Sequence, residues 1–168
     1  MAITPDQKLL ATTSEQGEIN LYDLQTLTPI YSLEKSSSPV NGLTFSPDSQ
    51  QLAIVFGDGT IKLINIAQKL PIVLKKDAVP VTSLNFSLEG QFLLTGSENG
   101  TVRLWNRQGQ LKWEFQDYTK AIAGLALQKN PPEILVIYQD GRIDYRPFKE
   151  EIRSSQLLEQ GCFWLKDY

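Results

Sequence analysis

The chain has 168 residues, of which 41% are apolar and 21% charged, and carries a net charge of −3. That length supports a packed core without a metal or a disulfide, and the acidic balance with scattered basic residues argues against nucleic-acid and anionic-membrane partners. Histidine is absent and Cys162 is the single cysteine, which removes an internal disulfide, a thiolate metal cluster and the commonest general base.

The N-terminus "MAITPDQKLL" lacks the basic start and long apolar run of a signal peptide, and no stretch is apolar for long enough to cross a bilayer. A cytoplasmic location is the expectation. Along the chain the turn glycines Gly17, Gly59, Gly100 and Gly141 recur at intervals of 42, 41 and 41 residues. Val40, Val81 and Ile122 form a second series 41 apart, as do Leu43, Leu84 and Leu125. Two independent markers with one period identify an internal repeat.

The second unit shows the pattern most fully. Val40, Leu43 and Phe45 mark a first strand, with Gly42 breaking strict alternation. "SPDS" then turns the chain, Pro47 pre-setting the backbone. "QLAIVF" is nearly continuous apolar sequence, as expected for a strand covered on both faces. "GDG" supplies a hairpin turn in which Asp-Gly tolerates positive φ. "TIKLINI" alternates, and "LPIVLKK" forms a fourth, outer strand. Four antiparallel strands in each unit of about 41 residues predict a propeller blade.

These residues resemble the WD-repeat (WD-40) family. "AITPDQKLLATTSEQGEINLYDL", "FSPDSQQLAIVFGDGTIKLINI" and "FSLEGQFLLTGSENGTVRLWNR" carry the likeness, with "LALQKNPPEILVIYQDGRIDYRPF" as a weaker fourth copy. The expected fold is an all-β WD-repeat β-propeller of about four blades of four antiparallel strands, forming a partial or open ring, with a short C-terminal helix. The blades fall at about 1–35, 40–76, 81–117 and 122–148, with a tail at 149–168. The first blade starts inside its innermost strand, and no leading strand completes the last one. The name-giving Trp-Asp pair is replaced by Tyr22-Asp23, Ile64-Asn65, Trp105-Asn106 and Arg146-Pro147. Without histidine, the family's His–Asp–Ser/Thr–Trp network cannot form as such, and Asp58, Asn99, Asp140 and Gln16 are expected to bond locally to their turns.

In the tail, Ser154 or Ser155 can cap a helix that lines up Leu158, Cys162 and Leu165. "LLEQGCFWLKDY" resembles a segment that follows the propeller in bacterial, cyanobacterial-type WD-repeat proteins, many of which carry a signalling NTPase or kinase ahead of it. No phosphate-binding G-x-x-x-x-G-K-[ST] loop occurs here.

No catalytic residue, cofactor site or metal site is expected. The resemblance implies a non-catalytic scaffold or sensor that binds other proteins, as the C-terminal part of a larger bacterial WD-repeat signalling protein; the alternatives are a half-propeller that homodimerises into a closed ring, and a propeller enzyme or ligand-binding lectin. On the family layout the loops at 33–39, 75–80 and 116–121 share one face with the turns between the second and third strands. Lys35, Lys76, Asp77, Tyr118 and Lys120 are the expected protein contacts, with Tyr118 closest to an interface hot spot by residue type.

Overall fold

The structure is a computed structural model that describes residues 1–14, 17–33, 36–76, 79–116, 120–128 and 132–147, with the backbone alone at 75 and 76. The expected tail helix, with Cys162, lies outside the described residues. Among the described residues, fifteen strands form four antiparallel sheets, each ordered as its strands follow in sequence. The first contains β1 (Ala2–Ile3), β2 (Leu9–Thr13), β3 (Ile19–Asp23) and β4 (Pro29–Leu33). The second contains β5 (Val40–Phe45), β6 (Gln51–Phe56), β7 (Thr60–Asn65) and β8 (Leu70–Lys76). The third contains β9 (Val81–Phe86), β10 (Phe92–Ser97), β11 (Thr101–Asn106) and β12 (Leu111–Gln116). The fourth contains β13 (Ile122–Gln128), β14 (Glu133–Tyr138) and β15 (Ile143–Pro147). Among the described residues this last blade therefore has three strands rather than four.

Each blade is a meander whose turns are specified by the repeat. After the innermost strand, a buried hydroxyl folds the chain back. Thr4 Oγ1 accepts the Leu9 amide at 2.9 Å, Ser46 Oγ the Gln51 amide at 2.9 Å and Ser87 Oγ the Phe92 amide at 3.1 Å. The next turn closes from Gly59 N–H to the Phe56 carbonyl (3.0 Å) and from Gly100 N–H to Ser97 (3.1 Å). Gly17, Gly59, Gly100 and Gly141 all sit at φ between 77° and 84°, the left-handed region that a Cβ disfavours. In "GDG" Gly59 alone is left-handed. The turn thus ends in a left-handed glycine and is not the two-residue primed turn that Asp-Gly suggests. Asp58, Asn99 and Asp140 accept the amides two residues on at 3.1, 3.2 and 3.2 Å, as expected, whereas Gln16 is outside the described residues. Gly42 lies at a bulge where register shifts between Val40 and Gly42, and the same shift recurs between Ile122 and Gly124.

Apolar faces of successive blades close on one another. Ala11, Ile19 and Leu21 of the first blade pack on Leu52, Ile54 and Ile64 of the second. Ile61 and Leu63 of the second pack on Leu93 and Trp105 of the third. Val102 and Leu104 of the third pack on Ile134 and Val136 of the fourth. All six residues of β6 are buried, which explains the apolar run 52–56 that follows Gln51. Each such Leu or Ile contributes about 1.5–3 kcal/mol when fully withdrawn from water. The innermost strands β1, β5, β9 and β13 touch in succession along the inner rim, so the blades follow one arc.

Trp105 donates from Nε1 to Thr95 Oγ1 at 3.1 Å inside the blade. The tryptophan–hydroxyl limb of the expected network thus survives without histidine, because it needs only neighbouring strands in register, and Thr95 and Trp105 lie on adjacent β10 and β11.

Candidate protein-interaction face

The turns between second and third strands lie beside the loops that enter each new blade, joined by a repeated backbone clamp. Gly57 N–H donates to the Pro39 carbonyl at 2.8 Å, Glu98 N–H to Pro80 at 3.0 Å and Gln139 N–H to Ala121 at 3.0 Å. The first blade shows a different contact, between its turn and the loop that leaves it, with Ser36 N–H donating to the Gly17 carbonyl at 3.0 Å. Four loop–turn pairs are therefore held by the blades themselves, which gives the face a fixed frame.

Of the expected contact residues, Lys120 alone has its side chain described. It stands on the loop entering the fourth blade, and its ammonium pairs with the Asp140 carboxylate on that blade's turn. This hydrogen bond, followed by that from the Arg142 amide, holds the Asp140 carboxyl below its ordinary value. The Lys76 backbone pairs with Thr60 at the end of β8. Lys35, Asp77 and Tyr118 lie outside the described residues.

The opposite face carries features that sequence reasoning missed. Arg107 Nη1 reaches the Asp48 carboxylate at 2.5 Å, while Gln51 Nε2 donates to the Arg107 carbonyl at 3.0 Å. The third blade is thereby tied to the turn of the second. Burial alone would raise the Asp48 pKa, but the Arg107 bond, the Ser46 hydroxyl and the Gln50 amide together hold it below the ordinary value. Beside this tie, a cleft of about 530 Å³ opens between the third and fourth blades, lined by Leu88, Phe92, Arg107, Lys112, Leu127 and Pro132. The available signal was Leu88, 89% exposed, in the turn position that Pro5 and Pro47 occupy in the earlier units.

Among the described residues no group of three or more His, Cys, Asp or Glu is arranged to hold a metal ion. Asp6, Asp23, Asp48 and Asp140 all have lowered pKa values and accept hydrogen bonds in turns, the reverse of the raised value that suits a general acid. No helix among the described residues is long and apolar enough to cross a membrane.

Residues 1–74 match the family profile of the "Anaphase-promoting complex subunit 4 WD40 domain", and residues 70–106 match the "WD domain, G-beta repeat". Three curated relatives come from fission yeast, Schizosaccharomyces pombe. The "Probable U3 small nucleolar RNA-associated protein 18" is 35% identical over 38% of this chain and 14% of its own length. The "UBP9-binding protein bun62" is 43% identical over 30% of this chain and 9% of its own. The "ASTRA-associated protein 1" is 38% identical over 36% of this chain and 17% of its own. The matches thus span under a fifth of each relative.

Among solved structures, the Cps50 (Swd1) β-propeller domain of Myceliophteria thermophila superposes with a TM-score of 0.69 at 21% identity, over 85% of this chain and 49% of that one. The computationally designed Ika4 protein superposes with a TM-score of 0.73 at 20% identity, over 84% and 86%. At these identities the structural likeness establishes the fold, a β-propeller arc. Together with the two profiles it supports the WD-repeat family.

Proposed function

We propose that the chain is a non-catalytic, cytoplasmic protein-interaction module, and that partners dock on the face bearing Lys35, Lys76, Asp77, Tyr118 and Lys120. The observation that carries this reading is the clamp repeated along that face, from Gly57 to Pro39, Glu98 to Pro80 and Gln139 to Ala121. It sets Pro39, Pro80 and Ala121, the residues just before each new blade, against the turns of that face, so the face is framed by the rigid blades. Two of the relatives support a protein partner through their names, one UBP9-binding and one ASTRA-associated. The bacterial signalling context rests on the resemblance of residues 157–168 alone, while the three relatives are fungal.

The test is to cross-link the full chain to its partner, identify it, and measure its affinity for wild type and for Tyr118→Ala and Lys120→Glu. The proposal predicts that Tyr118→Ala weakens binding by about tenfold or more, the loss of roughly 1.4 kcal/mol. Undiminished affinity in both variants would move the partner off this face.

A further inference from the structure

The two ends of the arc expose opposite halves of one interface. At each internal junction a pair of third-strand residues is buried on the next blade: Ile19 and Leu21 (1% and 3% exposed), Ile61 and Leu63 (0% and 1%), Val102 and Leu104 (both 0%). The same positions in the fourth blade are Ile143 and Tyr145, which are 55% and 58% exposed. Behind them on β14, Leu135 is half-buried where Ala53 and Leu94 are fully buried.

At the other end, the first blade exposes a receiving face. Its residues are Ile3, Leu10, Thr12, Ser14 and Tyr22, the counterparts of Phe86, Leu93, Thr95, Ser97 and Trp105 in the third blade. Those third-blade residues are all at most 8% exposed and take Ile61 and Leu63 from the second blade. In the first blade Ile3 is 51% exposed and the other four are half-buried. The chemistry matches position by position: an apolar residue, leucine, threonine, serine and a large aromatic. The register matches too, with Leu10 opposite Tyr22 and Leu93 opposite Trp105. A surface of this composition already receives a neighbouring blade within the structure.

We propose that these ends dock on a second copy of the chain, head to tail. Ile143 and Tyr145 of each copy would cover Leu10, Thr12 and Tyr22 of the other. Two such contacts related by a two-fold axis close a ring of eight blades, at the upper end of the usual range. This surface is distinct from the loop face assigned to other proteins above, so each proposal fails or stands without the other.

The test is the solution mass of the full chain by sedimentation equilibrium across the micromolar range. It is repeated for Tyr145→Lys at one end and Leu10→Lys at the other. Circular dichroism verifies folding of both variants, and Tyr145→Lys alters a side chain already exposed in the single chain. The expected result is a mass twice 18.9 kDa for wild type and a folded monomer for Tyr145→Lys. A wild-type monomer would overturn the proposal, whether the ends are covered by the chain's own tail or by other blades. An open series of higher species would overturn the closed pair. A dimer that persists in Tyr145→Lys would place the contact elsewhere.

Discussion

Asp48 shows how one side chain serves both its own turn and a neighbouring blade. It accepts from Ser46 Oγ at 2.6 Å within the turn and pairs with Arg107 of the third blade. Its folded pKa is lowered from 3.8, so the ionised form is the one that folding favours. The resulting stability is complete above 3.8 and is lost as pH falls through the lower folded value. Both partners are partly exposed, with side chains 22% and 34% accessible, which limits the gain. Wild type is accordingly expected to melt above Asp48→Asn at neutral pH, with the gap closing well below 3.8. A gap that is the same at both pH values would show that the charge on Asp48 is not what holds the two blades.

At the scale of the element, the blade is a set of turns placed at fixed intervals, and this was the part most legible in sequence. Val40, Val81 and Ile122, read as the starts of first strands, are the first residues of β5, β9 and β13. The reason is local: a left-handed glycine, an Asx side chain and a buried hydroxyl each act within five residues. Contacts between blades were less legible. Arg107 and Asp48 are 59 residues apart, and no local pattern joins them. The cleft at Leu88 likewise depends on how two sheets meet. The expected contact face was legible only through the family layout, because no local pattern says which connecting segments share a face. The turn chemistry itself can be tested at Gly100, whose φ is 77°. Valine there costs about 1–3 kcal/mol, a fall of roughly 2–4 °C in Tm for each kcal/mol in a chain of this size. Asparagine, which tolerates that region, should cost less. Thermal melts that do not separate Gly100→Val from wild type would contradict the glycine-ended turn.

For the whole molecule, repetition follows from coverage. One sheet leaves an apolar face to water, and a similar sheet set against it buries that face. Among the described residues, the second and third blades have neighbours on both sides, whereas the first and fourth each have one. Stability should therefore be distributed along the chain with the period of the sequence. Amide hydrogen exchange of the full chain, resolved to individual strands, tests this most directly. The account predicts slowest exchange in β6 and β10, with fast exchange at the connecting turns returning every 41 or 42 residues. Protection that lacks this period, or that is greatest outside those covered strands, would contradict an arc of mutually buried blades.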